Sequence, residues 1–371
     1  MGGKSFFFAG GGTGGHIYPA VAVAERIAEL EPEARIHFFC SRRHIDSRIL
    51  AQTGLDYTPL PASGFSVDPR RLIGICAALI KSYRLAKGIL AAAKNAIIIG
   101  VGGFVAAPVC LAGHKLKMPI VLLNVDMVPG RANKVVSRWA SRIFVQFEET
   151  VPYFAGRQAA VNIVGCPLRA GFAHPEPHKA IERLGLQKNK KTLLITGASS
   201  GSENINEAVC LLLGRLGAFA GDWQIIHLAG RANLEKVKSK YAGARVGHKV
   251  LDYCDDMANL LSAADLVVGR SGAVSVAEYA AASVPAICMP YPYHRDRHQY
   301  LNAGKLVEAG AAVIVDDLPQ REETAEWLWE ELEQLMKDDS KRRRMASNCK
   351  AIATKDAAYK IAEELVKTVA D

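Results

Sequence analysis

Along the chain, short apolar runs rich in β-branched residues recur, each leading into a glycine-containing turn and then into a stretch whose apolar positions repeat with helical spacing. That alternation is the signature of βαβ units around a parallel sheet. It occurs in two successive sets. The first predicts strands at Ser5–Ala9, Arg35–Cys40, Asp56–Leu60, Ala96–Ile99, Ile120–Leu123 and Arg142–Val145. The second predicts them at Thr192–Thr196, Gln224–Leu228, Lys249–Tyr253, Leu266–Val268, Ala286–Met289 and Ala312–Val315.

Both sets open alike. Phe6-Phe7-Phe8-Ala9 runs into the glycines of residues 10–15, and Leu193-Leu194-Ile195-Thr196 runs into Gly197-Ala198-Ser199-Ser200-Gly201. Two doubly wound, Rossmann-like α/β domains facing a cleft are therefore expected, with the joint at Gly165-Cys166-Pro167. The expected division is 1–164, 165–350 and a last helix at 351–371 that packs back on the first domain. A length of 371 residues agrees, because a single core seldom grows beyond about 300.

Composition narrows the class. Half of the residues are apolar and 22% are charged, which fits a globular protein. No apolar run reaches the roughly 20 residues that cross a bilayer, and the start of the chain reads as lacking a signal peptide. The eight cysteines are scattered with no C-x-x-C pair, which fits a reduced compartment. A net charge of +9 favours an anionic partner, whether nucleic acid, phospholipid or phosphorylated substrate, without choosing among them.

Candidate chemistry sits at the turns. Gly10-x-Gly12-x-x-Gly15, after the first strand and before a helix predicted at Pro19–Leu30, satisfies the dinucleotide fingerprint. NAD is disfavoured because the second strand ends in Ser41-Arg42-Arg43 where a ribose-binding acid is expected; the arginines leave NADP as an alternative. His16, at the mouth of the loop, suits either a general base or a helix-capping, phosphate-binding histidine. In the second half, Gly269-Arg270-Ser271-Gly272 leads into a helix whose first N–H groups, at Ala273, Val274, Ser275, Val276 and Ala277, suit a diphosphate, with Arg270 adding charge. Glu278 suits vicinal ribose hydroxyls, although an acid near a helix start needs no ligand. No Asp-x-Asp triplet is present, and His294 and His298 lack a third ligand, so no metal is expected. In 68–94, Arg70, Arg71, Lys81, Arg84, Lys87 and Lys94 interleave with apolar residues; Leu72, Ile75, Leu79 and Ile80 are the candidate membrane contacts, against the alternative of a helix covering a sheet.

Taken in order, Gly11-Gly12-Thr13-Gly14-Gly15-His16, Gly102-Gly103-Phe104-Val105-Ala106-Ala107-Pro108, Arg270-Ser271-Gly272-Ala273, Ala277-Glu278-Tyr279-Ala280-Ala281 and Asp296-Arg297-His298-Gln299-Tyr300-x-Asn302-Ala303 resemble the bacterial MurG family over almost the whole chain. The resemblance implies a GT-B fold and an inverting, cofactor-free transfer of N-acetylglucosamine from UDP-N-acetylglucosamine to an undecaprenyl-diphosphate-linked muramoyl pentapeptide. It implies a peripheral enzyme on the anionic cytoplasmic face of the inner membrane, with no nucleic-acid partner. By the same resemblance Glu278 holds the ribose, residues 270–277 the diphosphate, Ser199, Arg169, His298 and Gln299 other parts of the donor, and Cys254 the uracil. Thr13, Gly14 and Gly15 also face the donor, and His16 is the base. The chain departs from the family where Leu123-Asn124-Val125-Asp126 replaces His-Glu-Gln-Asn, which puts Asp126 at a donor-contact position and the acceptor in question. It departs again at His298 in place of a glutamine and at Ala198 in place of a glycine. A transferase using diacylglycerol or another lipid is the alternative.

Overall fold

The computed structural model describes residues 3–62, 64 and 69–370. The chain divides into two compact units, Met1–Arg169 with Asp356–Asp371, and Ala170–Lys355.

The first unit carries β1 (Ser5–Gly10), β2 (Arg35–Ser41), β3 (Asp56–Leu60), β4 (Ala96–Gly102), β5 (Ile120–Asn124), β6 (Arg142–Val145) and β7 (Ala160–Ile163). They form one parallel sheet in the order β3-β2-β1-β4-β5-β6-β7. The main connecting helices are α1 (Gly14–Leu30), α2 (His44–Thr53), α3 (Pro69–Ala91), α4 (Ala106–Lys115) and α5 (Arg131–Val136). Strands β1, β4 and β5 are apolar along nearly their whole length because helices cover both faces of the sheet.

The second unit repeats the plan with β8 (Lys191–Thr196), β9 (Trp223–Leu228), β10 (Gly247–Leu251), β11 (Leu266–Gly269), β12 (Ala286–Cys288) and β13 (Ala312–Ile314), in the order β10-β9-β8-β11-β12-β13, again parallel. Its helices are α6 (Pro177–Leu184), α7 (Glu203–Leu211), α8 (Leu213–Leu216), α9 (Leu234–Tyr241), α10 (Met257–Ser262), α11 (Ala273–Ala282), α12 (His298–Glu308), α13 (Arg321–Lys337) and α14 (Asp339–Ile352). The last helix, α15 (Ala357–Ala370), belongs to the first unit: it lies along α1, and Glu364 accepts from Arg142 at the start of β6.

The differences from the sequence reading fall at edges and turns. Strand β7 was not expected, because it lies at the sheet edge with largely exposed residues and shows no apolar face. Strand β10, also an edge, begins two residues before the expected Lys249, its register set by pairing of Gly247 with Gln224. Helix α1 starts at Gly14 instead of Pro19, with Thr13 as an extended N-cap residue.

Strand order reverses between β1 and β4 in one unit and between β8 and β11 in the other, and in open parallel sheets ligands bind at the carboxyl ends of strands at such points. The backbone there is closely packed. A register shift after Ala9 sets Gly10 opposite Gly102. A Cβ at Gly103, whose φ is +75°, would lie 2.2 Å from the carbonyl oxygen of Gly11.

One buried side chain makes the second unit acid-sensitive. His227 on β9 is fully buried, 2.9 Å by Nε2 from Asn206 Oδ1 and 3.0 Å by Nδ1 from the Tyr241 hydroxyl. Asn206 Nδ2 donates to the Ala229 carbonyl, so its oxygen must face the imidazole, which is then neutral with the proton on Nε2. Burial pushes the His227 pKa down to about 3. Because the unfolded chain protonates first, this group's contribution is intact above the unfolded value and is lost as pH falls below it. Moving from pH 7 to pH 5 should cost the second unit about 2 kcal/mol. Denaturant unfolding at both pH values should show this loss in the wild type and much less of it in His227→Gln; equal sensitivity would refute it.

Candidate functional site

In the first unit the glycine loop is built around an internal anion. Asp46, in the first turn of α2 and wholly buried, accepts from Gly12 N at 2.8 and 3.0 Å, from Ser41 N at 3.0 Å and from Ser41 Oγ at 2.6 Å. Arg43 donates to the Gly12 carbonyl at 2.8 Å. The loop is thus no empty cradle for a dinucleotide: a carboxylate of the protein already takes the Gly12 N–H, and one arginine of the NADP alternative is engaged with the loop itself. Gly11, at φ +149°, has no room for a Cβ, which would lie 2.3 Å from Asp46 Oδ2. The sequence reading missed Asp46, which looks like an ordinary acid in a first helical turn.

The loop delivers Thr13, Gly14, Gly15 and His16 to the start of α1, where no side chain caps the helix. Thr13 Oγ1 and His16 Nδ1 share a hydrogen bond of 3.1 Å, which fixes the ring in its plane. The other edge of the ring lies over Gly102: a Cβ built there would be 2.9 Å from His16 Nε2 and 3.2 Å from Asn133 Oδ1. Asn133, on α5, and Asn124, at the end of β5, are both buried and went unnoticed as candidates. Asp126 follows on the same turn and offers its carbonyl to Asn124 Nδ2 at 2.6 Å. Arg169, the last residue of this unit, stacks its guanidinium 4.2 Å from the centre of the Tyr18 ring.

In the second unit the loop between β11 and α11 is held from three sides. Tyr279 Oη donates to the Arg270 carbonyl at 2.9 Å, Ser271 Oγ to the Gln299 carbonyl at 2.9 Å, and Asn302 Nδ2 to the Ser271 carbonyl at 3.3 Å. The α11 N-cap is Gly272, with no side-chain cap, and no acidic residue stands in the first turn against the positive end of the helix dipole.

Arg270 is engaged inside the protein, contrary to expectation. It is 7% exposed; its guanidinium donates to Asp317 Oδ2 and Ser202 Oγ at 2.7 Å each and to the carbonyls of Met289 at 2.8 Å and Pro290 at 3.2 Å. Burial of Asp317 demands that partner, so Arg270 braces the loop from beneath. The role expected of Val276 also changes. Its N–H already bonds the Gly272 carbonyl, and the side chains of Ala273, Val274 and Val276 are buried.

The other candidates gather near the carboxyl ends of this sheet. Ser199 lies in the tight turn after β8, where Ala198 is forced to φ +61°, a conformation that favours glycine. Glu278 is 9% exposed within α11. Cys254 is buried with its Sγ 3.3 Å from Arg183, so a base can reach only its main chain. His298 opens α12 with Nδ1 held 2.7 Å from Asp296, while its ring stacks on His294 at 4.2 Å. Gln299 Oε1 accepts from Tyr291 N at 2.9 Å, which leaves its NH2 group for a ligand.

The membrane candidates are partly corrected. Ile75 is 7% exposed and Leu79 packs on the core, because these positions face the sheet. Ile80 does face outward, at 52% exposure, together with Ile73 and Leu85, which had not been singled out. The side chain of Leu72 lies outside those described.

Two parallel, doubly wound units, each with loops at its strand-order reversal, form the GT-B fold, and matches to two glycosyltransferase domains make the chain a glycosyltransferase. Residues 6–145 match the glycosyltransferase family 28 N-terminal domain and residues 192–365 its C-terminal domain. The UDP-N-acetylglucosamine–N-acetylmuramyl-(pentapeptide) pyrophosphoryl-undecaprenol N-acetylglucosamine transferase of Desulfitobacterium hafniense (strain Y51) is 34% identical over 368 residues, 97% of this chain and 98% of that one. The protein of the same name from Paenarthrobacter aurescens (strain TC1) is 35% identical, with 98% and 96% covered. The crystal structure of Acinetobacter baumannii MurG matches with a TM-score of 0.69 at 26% identity, covering 98% of this chain and 99% of that one. The chain belongs to the MurG family.

Two outcomes test this account of the second loop. Replacing Arg270 with methionine takes the shortest ion pair from buried Asp317, which keeps Asn204 at 2.8 Å and Arg321 at 3.5 Å, and should lower the stability of the second unit by about 2 kcal/mol, with Asp317→Asn in the same chain restoring part of it; thermal unfolding that is unchanged in the single variant would refute the bracing role. Ala198→Gly should relieve a strained φ and leave the unit as stable or up to about 1 kcal/mol more so; a clear loss of stability would contradict the backbone geometry.

Proposed function

We propose that this enzyme transfers N-acetylglucosamine from UDP-N-acetylglucosamine to the muramoyl sugar of undecaprenyl-diphosphate-linked pentapeptide, with inversion at the anomeric carbon. The observation that carries the reading is the braced, uncapped start of α11, a backbone anion site with Glu278 on the same helix, in a chain alignable end to end with transferases of that name. The donor diphosphate lies at that helix start and the ribose hydroxyls at Glu278. Ser199, the main chain of Cys254, His298 and Gln299 complete the donor contacts within the second unit; Arg169, Asp126, Thr13, Gly14 and Gly15, which belong to the first unit, are donor candidates by the family resemblance.

His16 is the base. It takes the proton of the muramoyl 4-hydroxyl as that oxygen bonds to the anomeric carbon, and the bond from carbon to phosphate oxygen breaks with its electron pair leaving on UDP. The hydrogen bond to Thr13 holds Nδ1, and Nε2 is the nitrogen that takes the proton. The dipole and N–H groups of α11 stabilise the charge that grows on the departing diphosphate, without a divalent ion.

Among the described residues no helix is long and apolar enough to cross a membrane. The acceptor is instead met at the bilayer surface, where Ile73, Ile80 and Leu85 on the outer side of α3 enter the interface beside Lys81 and Arg84. This makes the enzyme peripheral, on the anionic cytoplasmic face of the inner membrane.

Radiolabelled sugar should pass from UDP-N-acetylglucosamine to a lipid I analogue and not to diacylglycerol, at a rate unaffected by chelator. His16→Ala should lower kcat about a hundredfold or more while UDP binding persists. Transfer that stops on chelation, or that survives in His16→Ala, would overturn the mechanism. Replacing Ile73, Ile80 and Leu85 together with serine should release the protein from vesicles containing anionic lipid while its transfer to a water-soluble acceptor analogue continues; undiminished vesicle binding would rule out this surface.

A further inference from the structure

A chain of side-chain amides leads from the turn after β5 to the histidine. Asn124 Nδ2 donates to the Asp126 carbonyl at 2.6 Å, and Asn133 Nδ2 donates to Asn124 Oδ1 at 2.8 Å. A backbone carbonyl can only accept, so it fixes which way Asn124 points, and Asn124 in turn fixes Asn133. The Asn133 oxygen must therefore face the space over Gly102. It is buried there without a hydrogen-bond partner, on a residue only 7% exposed. The same space is bordered by His16 Nε2, and Gly102 keeps it open, since a Cβ would strike both groups. A buried amide oxygen left unmatched is costly unless something meets it during the working cycle.

We propose that Asn133 is a positioning residue for His16: its oxygen receives the N–H that His16 bears after taking the acceptor's proton. The inference rests on the reading of His16 as the base. The proton moves from the acceptor hydroxyl to Nε2, and as the acceptor oxygen withdraws to the anomeric carbon the new N–H is shared with the nearby Asn133 oxygen, with Nδ1 still on Thr13. The imidazolium is held within the protein until the proton departs. The charged groups on the surrounding elements are Asp126 after β5 and Arg131 opening α5, with Arg43 and Asp46 on the glycine-loop side. The last two are engaged with Gly12, and the Asn133 oxygen and His16 Nε2 both border the space over Gly102.

The test is the titration of His16 by NMR in full-length protein with labelled histidine, assigned by His16→Gln, beside the pH profile of kcat/KM. Removing the oxygen with Asn133→Leu should lower the His16 pKa by about half a unit or more and reduce kcat about tenfold, with KM for UDP-N-acetylglucosamine unchanged. The isosteric Asn133→Asp places a carboxylate there and should raise the same pKa, moving the acid limb of the profile to higher pH. Opposite shifts are not expected of a residue that merely ties α5 to β5. If Asn133→Leu does not fold, the direction in Asn133→Asp decides. No shift in a folded variant, or a loss confined to KM, overturns the proposal. The titration needs no turnover, so a wild type that transfers no sugar would sink the functional reading while leaving this one separately testable.

Discussion

In each unit, one buried aspartate organises the loop that carries the candidate site residues. Asp46 gathers Gly12, Ser41 N and Ser41 Oγ in the first unit; Asp317 gathers Arg270 and Asn204 in the second. Neither carboxylate can be buried without these donors, and neither loop has its shape without the carboxylate. Desolvated charge thus becomes positional accuracy at the carboxyl ends of two parallel sheets.

This internal matching sets where the candidate residues stand. Once Asp46 holds Gly12, His16 stands at the helix start with one nitrogen on Thr13 and the other toward Asn133. Arg270, held by Asp317, braces the loop that leads into α11, whose first turn has no side-chain cap. A helix start does not swing or change rotamer as a long side chain does, so it suits the diphosphate site proposed there.

The same logic explains why glycine is so frequent at these turns. Gly11 gives space to Asp46, Gly102 to His16 and Asn133, and Gly103 to the Gly11 carbonyl. Where the chain departs from glycine, at Ala198, the backbone keeps the left-handed conformation and bears the strain instead.

Twelve strands of the two sheets, the glycine turns and the family resemblance were legible in the linear chain, because a sheet covered on both faces leaves an apolar run for each central strand and a tight turn leaves a glycine. His16 and Glu278 could be named as candidates from motif spacing, and Ser199 from the family resemblance. Strand β7 could not, since an exposed edge has no apolar face to betray it. Nor could the commitment of Arg270, the inward turn of Ile75 and Leu79, or the parts played by Asp46, Asn124 and Asn133. Each of these depends on a partner distant in sequence or on which side of a helix meets the sheet, and only folding decides which polar groups are answered inside the protein and which remain for a ligand.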